Sequence, residues 1–159
     1  LGEDNLGPLT AAIKGHGDVR QWAAALGAFC EATAQGVEVD TFVCNVAINA
    51  CRKSGQWQQG LLLLSEMWKL SLQPDIISYS AGVSACEKAG NWQLGLALLG
   101  DVQEARMDPD VIICNAGISG CGKGTAWQQA LSLFSHMKEV NLEPDVISYS
   151  AGISAVEKD

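Results

Sequence analysis

The chain is short of most features that would place its chemistry at a glance. It has four prolines against 48% apolar residues, a balance that excludes a disordered segment. No apolar run approaches the roughly 18 residues that a membrane span requires, so a folded chain with no membrane partner is expected. Histidine is scarce, with His16 and His136 alone. No pairing of nucleophile and base and no phosphate-binding glycine loop stands out, and the zinc-deaminase pattern of H-x-E followed by P-C-x-x-C is absent. The chain is therefore not expected to be an enzyme, nor to carry a metal, a cofactor or a small-molecule substrate. Basic residues are few, 10 against 18 acidic ones, and a net charge of −8 gives little general attraction for a phosphate backbone. There is no C-x-x-C among the six cysteines. The first residue is Leu, and neither a charged signal region nor an Arg-rich leader opens the chain, which reads as a fragment or processed form without its targeting signal.

What the chain has in abundance is repetition. Residues 74–88 read PDIISYSAGVSACEK and residues 144–158 read PDVISYSAGISAVEK, with a degraded copy, PDVIICNAGISGCGK, from Pro109 to Lys123. Asp40, Asp75, Asp110 and Asp145 are spaced 35 residues apart, and a fixed period of that size marks a solenoid, in which each unit buries its apolar face against its neighbours. Ending each unit on its Asp gives a lead-in at 1–5, a degenerate repeat at 6–40, repeats at 41–75, 76–110 and 111–145, and a half repeat at 146–159, all in one domain. Cys51, Cys86 and Cys121 recur at the same period. Successive repeats would hold them roughly 9 to 10 Å apart, too far for a disulfide, so they read as small buried apolar residues in a reducing compartment.

Each unit carries two helical patterns with a break between them, so the expected element is a pair of antiparallel helices. Asp is a preferred N-cap for the first helix, with Pro just before it in three cases, and Ser54-Gly55, Ala89-Gly90 and Lys123-Gly124 supply the stops. The second helix opens on Trp22, Trp57, Trp92 or Trp127, followed along one face by Leu26, Leu61, Leu96 and Leu131, then by Phe29, Leu64, Leu99 and Phe134. These rows read as packing anchors.

The first helix has two stripes. Its first, fourth, eighth and eleventh positions are apolar, as in Ile76, Tyr79, Val83 and Cys86, and must face partner helices. Its seventh is small throughout, as Ala12, Ala47, Gly82, Gly117 and Gly152, which suggests close approach of neighbouring backbones. The second stripe is polar and ends on lysine: Asn45, Asn49, Arg52 and Lys53; Ser80, Ser84 and Lys88; Asn115, Ser119 and Lys123; Ser150, Ser154 and Lys158. Beside it, at the second position, lie Phe42, Ile77, Ile112 and Ile147. Apolar side chains flanking hydrogen-bonding groups suit a ligand with flat faces and polar edges.

The openings TFVCN, IISYS, VIICN and VISYS and the closings Gln73-Pro74-Asp75, Asp108-Pro109-Asp110 and Glu143-Pro144-Asp145 resemble the pentatricopeptide repeat family, well over residues 41–158 and loosely over 6–40. The resemblance implies an all-α, right-handed α-solenoid of helix-turn-helix repeats that binds single-stranded RNA, each repeat reading one base with its fifth and last residues. Carried over, the readers are Thr10 with Asp40, Asn45 with Asp75, Ser80 with Asp110 and Asn115 with Asp145, while Ser150 begins a fifth. In the family's code the hydroxyl pairs look like guanine readers and the Asn pairs like uracil readers, a preference of G-U-G-U from 5′ to 3′. Phe42, Ile77, Ile112 and Ile147 would sandwich the bases, and Lys53, Lys88, Lys123 and Lys158 would meet phosphates. The resemblance also implies action in mitochondria or plastids on RNA processing, editing, stability or translation.

Plainer roles fit the same residues. Each Asp is explained as an N-cap, and each lysine as a cation near a helix C-terminus. Glu87 and Glu157 stand in the polar stripe itself, and Asp18 takes the place of a lysine in the first unit. A protein-binding scaffold, with other proteins as partners on the same strip, is the competing reading.

Overall fold

A computed structural model of the chain describes Ala11 and residues 22–157. Eight helices are described in full: α1 (Trp22–Ala34), α2 (Thr41–Lys53), α3 (Trp57–Lys69), α4 (Ile76–Ala89), α5 (Trp92–Glu104), α6 (Val111–Lys123), α7 (Trp127–Glu139) and α8 (Val146–Val156). No strand occurs among the described residues. The even-numbered helices begin 35 residues apart, each one residue after a periodic Asp, and the odd-numbered ones begin on the four periodic tryptophans.

All four aspartates cap their helices. The side chains of Asp40, Asp75, Asp110 and Asp145 accept from the backbone N–H three residues on, at 2.8, 2.9, 2.8 and 2.8 Å. Such a cap satisfies a donor that has no partner within the helix and contributes about 1 kcal/mol. The other ends close on residues in the left-handed region, where the chain turns sharply. Gly55 and Gly90 occupy it after α2 and α4, and Gly36, Ser71, Arg106 and Asn141 after the Trp-led helices.

The stop after α6 departs from the expected register. Gly124 has φ −90°, and it is Thr125 that adopts φ 57°. Gly124 is a glycine for another reason: a Cβ there would overlap the Trp92 ring. The pattern of small residues is also sharpened. At the seventh position a Cβ on Gly117 would stand 2.7 Å from Leu99 Cδ1, so leucine side chains fill the space, not backbone. Backbones come close at the twelfth position instead, where a Cβ on Gly122 would lie 3.1 Å from Ala155 Cα.

The chain divides into two compact units after Ala85, a point within α4. In the first, α2 packs against both α1 and α3. Its core holds Val43, Cys44, Ile48, Cys51, Leu64 and Met67. In the second, α6 is central, packing against α5, α7 and α8. Ile113, Cys114, Ile118 and Cys121 are buried there with Leu99, Val102 and Met137. The apolar stripe of the first helix is thus the core stripe. The periodic tryptophans are half-buried, and Phe29, Leu64 and Leu99 further along the same face are buried.

The recurrent cysteines behave as apolar residues. Cys44, Cys51, Cys86, Cys114 and Cys121 are buried free thiols. Burial pushes Cys51 and Cys121 up to about 11, and burial with the nearby Asp40 or Asp110 charge does the same for Cys44 and Cys114. A thiol held protonated in this way is a poor nucleophile and a poor metal ligand.

Candidate functional site

The second-position residues emerge from the helices into solvent. Phe42, Ile77, Ile112 and Ile147 are 55 to 66% exposed, although in α2, α4 and α6 the other apolar side chains of the helix are largely enclosed. Leaving four large apolar side chains in water at one register forgoes the burial each could have had, roughly 1.5 to 3 kcal/mol apiece.

Next to them stand the fifth-position residues. Asn45 and Asn115 are only 8% exposed, and each is held on two sides. Asn45 Nδ2 donates to Asp75 Oδ1 at 3.0 Å and Oδ2 at 3.2 Å. Asn115 Nδ2 donates to Asp145 Oδ1 at 3.0 Å. The two residues that sequence paired across the repeat boundary therefore meet in both of these cases. On its other side each amide oxygen accepts from a serine that the sequence reading passed over: Ser78 Oγ reaches Asn45 Oδ1 at 2.5 Å and Ser148 Oγ reaches Asn115 Oδ1 at 2.6 Å. Both serines are fully buried. They sit three residues after the capping Asp, and the Asp backbone N–H donates back to each hydroxyl, at 3.1 Å for Ser78 and 3.0 Å for Ser148. This reciprocal bonding is a capping box, and Asp-x-x-Ser is the signal that would have found it.

The carboxylates in these networks are held in the ionised form. Burial raises Asp75, but hydrogen bonds from the Ser78 backbone and hydroxyl, from Asn45 and from the Ile77 N–H outweigh it and leave the group below its ordinary range. For Asp145 the Ser148 N–H is the leading cause and the direction is the same.

The fifth-position serine of α4 differs. Ser80 Oγ is buried and has no hydrogen-bond partner among the described residues, an uncompensated hydroxyl of the kind that costs about 1 to 3 kcal/mol. Asp110 caps α6 from the second unit. Ser150 is exposed and borders an open concavity of about 480 Å³ with Ser119, Lys123, Ile147 and Ser154, which brings a fifth-position serine, an exposed apolar residue and a lysine to one place. Thr10 and Lys158 lie outside the described residues.

Of the lysines, Lys53 and Lys88 are exposed. Lys123 is engaged: its Nζ lies 2.6 Å from Glu87 Oε1, which also accepts from Ser119 Oγ at 3.0 Å. The acidic residue that sequence placed in the polar stripe thus neutralises one of the cations beside it. Among the described residues no three His, Cys, Asp or Glu side chains converge to hold a metal ion, and no helix is long and apolar enough to cross a membrane.

No curated protein matches the chain. Its backbone is similar to that of the pentatricopeptide repeat protein PPR10 in complex with an 18-nt psaJ RNA element, with TM-score 0.79 and 20% identity over 94% of this chain and 22% of that one. PPR10 from maize gives TM-score 0.74 and 22% identity, again over 94% of this chain and 22% of that one. The pentatricopeptide domain of Arabidopsis thaliana protein-only RNase P 1, in complex with tRNA, gives TM-score 0.84 and 16% identity over 99% of this chain and 82% of that one. The chain therefore spans about a fifth of the length of PPR10. The solenoid fold of helix pairs is common to all of them. The model of the pentatricopeptide repeat domain matches residues 29–88 and 62–124, and that of the PPR repeat family matches residues 109–158. With Asp-capped helix pairs at a period of 35 residues, the chain belongs to the pentatricopeptide repeat family.

Proposed function

We propose that the chain binds single-stranded RNA, one base to a repeat, with a preference for G-U-G-U running 5′ to 3′ along the chain from its N-terminus. The observation that carries this reading is the Asn–Asp pair at the repeat boundary, formed in the same way by Asn45 with Asp75 and by Asn115 with Asp145 and flanked by exposed apolar residues. Each asparagine amide has one N–H engaged by carboxylate and one lone pair engaged by serine, so one donor and one acceptor are left for a base edge. Phe42, Ile77, Ile112 and Ile147 cover base faces, and Thr10 with Asp40 and Ser80 with Asp110 read guanine. Lys53, Lys88 and Lys158 contact phosphates. The complexes of PPR10 with psaJ RNA and of protein-only RNase P 1 with tRNA support an RNA ligand for the family to which this chain belongs. By the same family membership we assign its action to RNA in mitochondria or plastids.

The test is a titration with labelled G-U-G-U repeats at low ionic strength, beside A-C-A-C repeats of equal length. Binding of the first in preference to the second is expected. Failure of the chain to bind G-U-G-U at low salt overturns the reading.

A further inference from the structure

The family's code uses two residues per base, but the structure builds a third into two of the readers. We infer that Ser78 and Ser148 are positioning residues that set base specificity by locking the asparagine amide in one orientation, so that it accepts uracil and rejects cytosine. The inference rests on the RNA-reading function proposed above and deepens it.

The orientation follows from chemistry. An ionised carboxylate only accepts, so the end of the Asn45 amide facing Asp75 is Nδ2. The end facing Ser78 is then the carbonyl oxygen, which also only accepts, and the serine must donate to it. The hydroxyl proton has a second acceptor in Asp75 Oδ1, at 2.9 Å, but the bond to the amide is the shorter. One of the hydroxyl oxygen's two lone pairs takes the Asp75 N–H, and turning the amide round would set its carbonyl oxygen against the Asp75 carboxylate, so the hydroxyl donates to the amide oxygen and the amide keeps one orientation. The same bonds recur around Asn115, where Ser148 Oγ lies 2.6 Å from the amide oxygen and 3.0 Å from Asp145 Oδ1.

Orientation matters because uracil and cytosine present opposite patterns. Uracil offers its O4 acceptor beside its N3–H donor, and cytosine offers its amino donor beside its N3 acceptor. An amide turned one way complements the first, and turned the other way complements the second. Asp alone fixes the amide from one end. Asp and Ser together fix it from both.

The sequence carries the same logic in all four readers. Where the fifth residue is Asn, the third residue of the next repeat is Ser, as with Asn45 and Ser78 or Asn115 and Ser148. Where it is Thr10 or Ser80, that third residue is Val43 or Ile113, both buried and unable to hydrogen-bond through the side chain. A hydroxyl rotates about one bond and has no two ends to confuse, so it needs no lock.

The experiment measures affinity for G-U-G-U and for the same RNA with C at the second or fourth position. Ser78→Ala is expected to lower the preference for U over C at the second base by about fivefold or more, and Ser148→Ala at the fourth base, each leaving the other base's preference in place. Ser78→Thr, which keeps the hydroxyl, restores discrimination. A merely structural serine would weaken binding to both RNAs alike and leave the ratio unmoved, which would overturn the inference while the RNA-reading function stood. If Ser78→Ala does not fold, Ser148→Ala decides alone, its melting curve serving as the control. Absence of binding by the parent chain overturns both readings together.

Discussion

At the scale of single residues, the ion pair between Lys123 and Glu87 decides how much of the basic edge is free for the phosphate contacts proposed above. Its Nζ to Oε1 distance is 2.6 Å, and the side chains are 46% and 20% exposed, so the pair is screened by water only in part. A phosphate approaching Lys123 has to displace a carboxylate already in place and then meets that carboxylate as a like charge. If the chain binds RNA as proposed, Glu87 is expected to lower its affinity in this way without touching a base. Glu87→Gln keeps the shape and an acceptor for Ser119 while removing the charge. It is expected to tighten binding of G-U-G-U at low salt and to steepen the slope of log affinity against log salt by about 0.7, the increment for one further phosphate contact to a single strand. Filter binding across a salt series reads both quantities, and an unchanged slope would place Lys123 away from the RNA. Glu87 could be placed in the polar stripe from sequence, because helical periodicity puts the twelfth position there. Its partner could not, because Ser119 and Lys123 come from the next repeat.

At the scale of the helix, the Asp residues couple stability to pH. Asp75 has a folded-state pKa below its ordinary value of 3.8. A depressed value means that the ionised carboxylate stabilises the fold. The contribution is fully present above the unfolded pKa and is lost as pH falls through the folded one, below about pH 4. Asn is an equally good N-cap but does not titrate. Asp75→Asn keeps the cap without the charge, so it should melt below the parent at neutral pH, where the ionised carboxylate contributes, and lose less stability on acidification. Thermal melts at neutral pH and near pH 3 check this, and parallel losses in both proteins would show that Asp75 is not the coupled group. The cap itself was legible, since Asp one residue before an apolar-periodic stretch is a signal in the local sequence. So were the helix pairs, the buried cysteines and the exposed second-position row, all of which follow from a period of 3.6 laid over a period of 35. The αL role of Thr125 was hidden because glycine at position 124 satisfies the usual stop rule while serving the Trp92 ring. Ser78 and Ser148 were hidden because a serine near a helix start has several ordinary explanations, and the asparagines they hold lie in the preceding repeat.

At the scale of the whole chain, the repeats are alike in sequence but not in surroundings. Tyr79 is 3% exposed and its equivalent Tyr149 is 51% exposed. Val83 and Cys86 are buried, yet Ile153 and Val156 at the same positions of α8 face solvent. Beside them Leu131 and Phe134 complete an apolar concavity of about 410 Å³, its two aromatic rings meeting edge to face at 5.2 Å between centroids. In α2 and α6 the corresponding stripe is covered by the helices packed against it. Among the described residues nothing covers the stripe on α8, and apolar area left in water carries roughly 25 cal/mol of unfavourable free energy per Å². An apolar fluorescent dye such as anilinonaphthalene sulfonate should bind there and brighten with the chain folded. Ile153→Lys with Val156→Gln should remove most of that signal, because a charge and an amide at the rim keep the concavity hydrated. Neither substitution touches Asn115, Asp145 or Ser148, so preference for U at the fourth base should be retained. Dye fluorescence that survives both substitutions would locate the exposed apolar surface elsewhere, with the row of Phe42, Ile77, Ile112 and Ile147 as the next place to look.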